Sequence, residues 1–364
     1  MTVGYHAPPS GSNTGVADYA DALLEALRRH GSIAPGADKA DVHLYHLGNN
    51  RLHQGIYRRA LEIPGVIVLH DAVMHHLMLG MFSAEQYLDE WVFNYGEWRR
   101  EIGMELWRRR AASAIDPDYF RFPMIRRVVE RSRLVIVHNP GAAAIAREHG
   151  ARNVVIIPHF SSPVHVPDAW SVARFRERLR IRSGDTVFGI FGFLRETKRV
   201  FTCIEAFKRI HQVRPQTVLL IAGNPGSSDL ARALALAANH PGIRTTGHLS
   251  RADLLVAAAS IDCCLNLRNP SAGETSGIAV LLMGIAKPVI LSDISENADF
   301  PTASCLRVST DVAESAELLH YMILVAEFPR IAREIGSEAQ LHILRKHALE
   351  LVAGKYWEAL CAAV

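Results

Sequence analysis

Short apolar runs rich in β-branched residues alternate with amphipathic stretches along almost the whole chain. The runs span 2–7, 43–48, 65–70, 134–138 and 154–158 in the first half, and 186–193, 217–223, 261–267 and 288–292 in the second. Several are apolar at nearly every position, as strands buried on both faces of a parallel sheet are. Helical patterns lie between the runs, so the sequence predicts an α/β protein with doubly wound parallel sheets.

The length of 364 residues exceeds that of one typical domain. Prolines and serines interrupt the alternation at 161–168, and a new strand–helix series starts at 186. We therefore predict a first domain over 1–162 and a second over 163–344. The segment 30–41 lacks the full second strand that a first βα unit would lead into.

Composition excludes several classes of protein. The 40 Lys and Arg residues against 37 Asp and Glu give a net charge of +3, which does not indicate a nucleic-acid-binding protein. The N-terminus has no secretory pattern, and no apolar run has the length of a membrane span. The five cysteines lack the paired spacing of a metal site. These features predict a cytoplasmic protein.

The most informative motif is LRNPSAGETSGIAVLLMGIAKPVI at 267–290. A polar loop follows a buried strand, and a helix is predicted to begin near Thr275, at the sheet edge where ligands bind. The backbone N–H groups that would bind an anion such as a diphosphate at this helix start are those of Ser276, Gly277 and Ile278. Glu274 would then serve a neutral neighbour such as sugar hydroxyls. The alternative is an ordinary helix start with a capping acid.

A second motif, FGIFGFLRETKRV at 188–200, ends a strand in Gly192. Its loop leads into a helix whose start carries the cations Arg195, Lys198 and Arg199. Positive charge at a helix N-terminus is unfavourable because the helix dipole is positive there. The presence of these cations therefore indicates a functional role such as phosphate binding. The alternative is a solvated helix start.

Polar residues also end strands of the first domain. His70 and Asp71 follow one strand, and His138 and Asn139 end the next in the same way. Such residues point to the ligand-binding edge of the sheet. The histidines at 70, 75 and 76 have no recognised ligand spacing, so we predict no metal site.

With these motifs the chain resembles the family 4 retaining glycosyltransferases of the GT-B fold. Pro270, Ser271, Glu274, Gly277 and the run 287–290 are similar to the family's donor-site signature, a Glu followed by seven residues and a second Glu. Glu274 matches the first Glu, which contacts the sugar. Leu282 stands at the position of the second, which usually holds the ribose.

The resemblance implies two Rossmann-like domains facing each other across a cleft, with the donor held mainly by the second. It implies that Lys198 neutralises the leaving diphosphate. Phe193 stands where the family has an Arg, so Arg195 or Arg199 would supply the second charge. It also implies that His70 contacts the transferred sugar as a catalytic residue together with Glu274.

Two further expectations come from the resemblance. The loop PPSGSNTG at 8–15, which ends in Gly15, would face the donor phosphates and sugar. A last helix at about 345–364 would pack back on the first domain.

The reaction implied is transfer of a sugar from a nucleoside-diphosphate sugar to a hydroxyl acceptor with retention, without a metal or other cofactor. It would serve polysaccharide, glycolipid or glycoconjugate synthesis. Two alternatives stay open: a nucleotide-sugar epimerase of the same shape, and a non-catalytic nucleotide-sugar-binding subunit. The nucleotide base, the sugar, the acceptor and the oligomeric state are not specified.

A helical stretch over 84–110 combines tryptophans with arginines. Interleaved glutamates favour a salt-bridged, solvated face with the tryptophans inward. The alternative is contact with anionic lipid or a lipid-linked acceptor at the inner membrane face.

Overall fold

The computed structural model describes residues 1–12 and 14–364, which divide into two compact units. The first unit consists of Met1–Ser162, Pro270–Thr275 and Lys346–Val364. The second unit consists of Pro163–Asn269 and Ser276–Arg345. The sequence analysis placed 270–275 in the second domain, and the structure differs from it there.

The first unit is built on a parallel sheet with the strand order β2-β1-β3-β4-β5-β6. Its strands are β1 (Thr2–His6), β2 (Ser32–Pro35), β3 (Val42–Leu47), β4 (Val66–Leu69), β5 (Leu134–Val137) and β6 (Val154–Ile156). Its helices up to the domain boundary are α1 (Gly15–Leu27), α2 (Gln54–Glu62), α3 (His75–Met81), α4 (Ala84–Tyr95), α5 (Arg100–Arg109), α6 (Asp118–Arg121), α7 (Arg126–Arg131) and α8 (Pro140–Glu148).

The second unit repeats this plan with the strand order β12-β11-β10-β7-β8-β9, again parallel throughout. Its strands are β7 (Thr186–Phe191), β8 (Thr217–Ala222), β9 (Ile243–Gly247), β10 (Cys263–Asn266), β11 (Val289–Ser292) and β12 (Leu306–Val308). Its helices are α9 (Ala169–Arg178), α10 (Val200–Val213), α11 (Ser228–Ala237), α12 (Arg251–Ser260), α13 (Gly277–Gly284), α14 (Glu314–Glu327) and α15 (Pro329–Lys346).

The predicted doubly wound sheets are confirmed. The central strands β3, β4, β8 and β10 are buried at every position because helices cover both faces of each sheet. The strands that the sequence did not reveal, β2, β9 and β12, lie at sheet edges or ends and are only partly buried. Their half-exposed sequences lack the continuous apolar run that marks the others.

The stretch 84–110 is not one helix. Gly96 has a φ of +86° and ends α4, a short 3-10 turn follows, and α5 begins at Arg100. Trp91 is buried, whereas Trp98 is 77% exposed with the Arg99 guanidinium 4.3 Å from its ring centroid. The tryptophans therefore do not all point inward.

The last helix, α16 (Leu349–Cys361), packs on the first unit. The hydroxyl groups of Tyr356 on α16 and Tyr19 on α1 lie 3.0 Å apart, and both side chains are buried. Apolar residues of both helices share one core with strands of the first sheet.

Candidate functional site

In the second sheet the strand order reverses between β7 and β10. The connections from β7 run outwards through β8 to β9, and the chain then returns to place β10 on the other side of β7. Ligands of open α/β sheets bind beyond the carboxyl ends of the strands at such a point. The loops that follow these two strands contain the motifs at 188–200 and 267–290, and they are joined where the Asn269 N–H donates to the Thr197 carbonyl at 2.9 Å.

Lys198 lies over the end of β7. Its Nζ donates to the carbonyl oxygen of Phe191 at 2.8 Å. Gly192 follows with a φ of +85°, and a Cβ there would lie 3.1 Å from Nζ, so a larger residue would crowd the ammonium group. The backbone conformation and the space at Gly192 together let the lysine lie against the strand end.

The two arginines beside Lys198 have different environments. Arg199 adopts the left-handed conformation with a φ of 54°, and its guanidinium forms a bidentate ion pair with the buried carboxylate of Glu314. Arg195 is exposed, and its guanidinium carbon lies 5.4 Å from the ring centroid of Phe193, which is 47% exposed. Arg195 is therefore the arginine of this loop that faces solvent.

Helix α13 begins at Gly277, two residues later than predicted. Ser276 is its N-cap, and the Ser276 hydroxyl accepts from the Ala279 N–H at 3.3 Å. The first N–H groups of the helix, at Gly277 and Ile278, have no partner within the helix by its geometry. Leu282 is 1% exposed and belongs to the apolar core of the second unit, so its side chain offers no ribose contact.

Glu274 and Thr275 precede this helix but belong to the first unit. The Ala272 carbonyl accepts from the Val73 N–H at 2.9 Å. A Cβ on Gly273 would lie 2.5 Å from the Cβ of Ala72, so glycine permits this close approach. The Glu274 carboxylate accepts from the Ala272 N–H at 2.9 Å and is partly buried.

Histidines form a hydrogen-bonded row along the carboxyl edge of the first sheet. His46 Nδ1 lies 2.9 Å from His70 Nε2, and His138 Nε2 lies 3.3 Å from His70 Nδ1. His138 Nδ1 lies 2.9 Å from the Ile157 carbonyl, which can only accept, so this nitrogen carries the proton. Because each neutral ring carries one proton, His138 Nε2 accepts from the His70 Nδ1–H, and His70 Nε2 accepts from the His46 Nδ1–H.

The row is uncharged because burial lowers its basicity. Burial lowers the pKa of His46 to about 3 and that of His138 to about 4. The pKa of His70 is lowered well below its ordinary value by burial first and then by the neighbouring histidines. Both ring nitrogens of His70 are engaged within the row, so a ligand hydroxyl would have to displace a neighbour to reach one.

The remaining predicted residues lie at the same edge. Asp71 accepts from the Asn49 N–H at 2.7 Å through Oδ2. Gly15 is the first residue of α1, whose N-cap Thr14 accepts from the Val16 N–H at 3.4 Å. Asn13, in the same predicted loop, lies outside the described residues.

Sequence reasoning missed several partners of these residues. His46 is the penultimate residue of β3 and His70 directly follows β4, and the parallel register of the two strands was the signal that could have paired them. Glu314 carried no local signal, because its contact with Arg199 joins positions 115 residues apart.

Residues 1–12 and 14–364 contain no group of three or more His, Cys, Asp or Glu side chains placed to hold a metal ion. No helix within this part of the chain is long and apolar enough to cross a membrane.

Comparison with known proteins adds a family match. Residues 171–336 match the family model described as glycosyl transferases group 1. No curated protein matches the chain.

Solved structures share the fold over the whole chain. A sucrose-phosphate synthase from Thermosynechococcus elongatus has a TM-score of 0.69 at 16% identity, and HepE from Anabaena, solved with UDP-glucose, has 0.67 at 15%; both chains are covered completely in each case. WaaG, a glycosyltransferase involved in lipopolysaccharide biosynthesis, has 0.62 at 12% identity, with 99% of each chain covered. The two Rossmann-like units are those of the GT-B fold that these structures share.

Proposed function

We propose that this chain is a glycosyltransferase like those of the glycosyl transferases group 1 family, whose model matches its second half, and that it moves a sugar from a nucleoside-diphosphate donor to a hydroxyl acceptor. The observation that carries the proposal is the pair of joined loops at the strand-order reversal of the second sheet. They combine a lysine over a strand end with the N-terminus of α13, where the N–H groups of Gly277 and Ile278 have no partner within the helix. HepE was solved with UDP-glucose, which supports a nucleotide sugar as the donor.

The departing diphosphate gains negative charge as the glycosyl bond breaks, and fixed positive groups stabilise that charge. We assign this role to Lys198, to Arg195 and to the N-terminus of α13 at Ser276, Gly277 and Ile278. Arg199 is assigned to the structure of the loop instead, because its ion pair with Glu314 uses its guanidinium. Arg195 then takes the place of the family arginine that Phe193 replaces.

Glu274 and His70 are proposed to act on the sugar. The Glu274 carboxylate accepts from the Ala272 N–H at 2.9 Å and from the Ser271 hydroxyl at 3.4 Å, both through Oε2, and an ionised carboxylate is an acceptor group that suits sugar hydroxyls. His70 is neutral, and it would bind a hydroxyl only by exchanging one of its histidine partners. Gly15 is proposed to face the donor, and Asp71, His138 and Asn139 are secondary candidates at this edge.

Retention, independence of metal and a cytoplasmic location are parts of the same proposal. Side-chain cations and backbone N–H groups supply the positive charge that a metal would otherwise bring. All five cysteines are free, which supports a reducing compartment.

The test is product analysis. The protein is incubated with labelled UDP-, GDP- and ADP-hexoses and a panel of sugar and lipid acceptors, with and without EDTA. Transfer or slow donor hydrolysis supports the proposal, and NMR of the new linkage should show the anomeric configuration of the donor. Interconversion of the donor sugar without transfer, or an inverted linkage, would contradict the proposal.

A further inference from the structure

The segment 270–275 carries Glu274 and contacts the rest of the first unit through backbone and side-chain hydrogen bonds. One is the bond between the Val73 N–H and the Ala272 carbonyl. The segment has no secondary structure of its own over these six residues. Within it, the Glu274 carboxylate accepts from the Ala272 N–H at 2.9 Å and from the Ser271 hydroxyl at 3.4 Å. Contacts from outside the segment then fix where its backbone lies in the first unit.

Asn139 supplies such contacts on both sides of Glu274. Its Nδ2 donates to the Gly273 carbonyl at 3.0 Å and to the Thr275 hydroxyl oxygen at 3.0 Å. These are the residues immediately before and after Glu274. One buried amide group, 2% exposed, thus holds the backbone before the carboxylate and the side chain after it.

The amide oxygen of Asn139 forms a different hydrogen bond, at the N-terminus of α8. Oδ1 accepts from the Ala142 N–H at 2.7 Å and so caps α8. This bond fixes which end of the amide is the oxygen, because the Ala142 N–H can only donate. The NH₂ group must then face the segment, and its two hydrogens match its two acceptors.

We propose that Asn139 is the positioning residue for Glu274, and this rests on the proposed role of Glu274 at the sugar. The Asn139 amide contacts the Gly273 carbonyl, the Thr275 hydroxyl and the Ala142 N–H, and it holds Glu274 through the residues on either side of it. Reacting groups that are displaced by about 1 Å lose on the order of a hundredfold in rate, so the clamp should act on kcat.

The discriminating variant is Asn139→Asp. Aspartate keeps the oxygen that caps α8 but cannot donate to the Gly273 carbonyl or the Thr275 hydroxyl. With the most active donor of the panel above, kcat should fall about 10- to 100-fold while the donor KM stays within about threefold. Thr275→Val removes one of the two acceptors and should cost less, about three- to tenfold.

The matched control is Asn50→Asp, another asparagine cap in the first unit, whose Oδ1 accepts from the Leu52 N–H at 3.0 Å. This variant should leave kcat unchanged. A double-variant cycle gives the readout that a purely structural role would not move: in a Glu274→Gln background, Asn139→Asp should have no further effect on kcat.

The outcomes separate the two levels of the proposal. If Glu274→Gln leaves kcat unchanged, the proposed role of Glu274 fails. If Glu274→Gln lowers kcat but Asn139→Asp and Thr275→Val do not, the positioning role is overturned. The positioning role is also overturned if Asn139→Asp lowers kcat in the Glu274→Gln background by as much as it does in the wild-type protein. Should Asn139→Asp fail to fold, Thr275→Val and its cycle with Glu274→Gln decide the question alone.

Discussion

Acidification should destabilise the first unit well before its carboxylates titrate. His46, His70 and His138 are buried and neutral, with pKa values held low by burial, at about 3 for His46 and about 4 for His138. In the unfolded chain each would titrate near pH 6.5. The unfolded state therefore binds more protons below pH 6.5, so stability is full above that pH and is lost as the pH falls towards the folded-state pKa values.

The magnitude follows from the pH interval. At pH 5, about 1.5 units below the unfolded-state pKa, each histidine that stays neutral in the folded state weakens folding by about 2 kcal/mol. The row of three then lowers the free energy of unfolding by about 6 kcal/mol relative to pH 7.5. That is comparable to the whole stability of an ordinary domain.

The assay is denaturant unfolding between pH 7.5 and 5, followed by tryptophan fluorescence. Four of the five tryptophans lie in the first unit: Trp91, Trp98, Trp107 and Trp357. His46→Gln should reduce the loss of stability between pH 7.5 and pH 5 by about 2 kcal/mol, whereas His165→Gln, at an exposed position of the second unit, should not change it. If the free energy of unfolding obtained from the fluorescence transition changes by less than about 1 kcal/mol over this pH range, the neutral, buried histidine row is refuted.

Three further variants test single features of the structure. Gly273→Ala should lower both the melting temperature and kcat, because φ at this position is +81° and the new Cβ would overlap Ala72. Thermal denaturation and initial rates measure the two effects, and unchanged values would contradict the tight approach of the two backbones. Arg199→Ala leaves the buried Glu314 carboxylate without its ion pair and should lower the free energy of unfolding, measured with denaturant, by about 3 kcal/mol. The kcat per folded molecule should be nearly retained. A large loss of kcat at full stability would instead assign Arg199 to the donor. Leu282→Glu introduces the residue that the resembled glycosyltransferases have at this position, and it should destabilise the second unit by several kcal/mol in denaturant unfolding because the site is apolar core. Tighter nucleotide binding without loss of stability would contradict this.

The sequence predicted most of the architecture because the central strands are buried on both faces. A strand such as β4 or β8 must be apolar at nearly every position, and that pattern is visible without a structure. The edge strand β9, with the sequence IRTTG, is half exposed and has no such pattern. The break at Gly96 was missed because the helical periodicity continues on both sides of it.

Only those parts of the candidate site that lie within one short stretch of sequence could be predicted. A glycine loop with cations, and a polar loop before a helix, are local patterns that locate Lys198 and Ser276. The contact of Asn139 with Gly273 and Thr275 joins positions more than 130 residues apart, so no local pattern could place Glu274 with the first unit. The same holds for the pairing of Arg199 with Glu314, which only the folded chain reveals.

Stabilisation of a departing diphosphate by the second unit depends first on Lys198, so Lys198→Ala is the decisive variant. The measurement is kcat/KM for the most active donor, compared with Lys208→Ala, which removes a lysine paired with Glu205 on the surface of α10. We predict a loss of about 100- to 1000-fold for Lys198→Ala and less than about twofold for Lys208→Ala. Equal activity of the two variants would contradict the account.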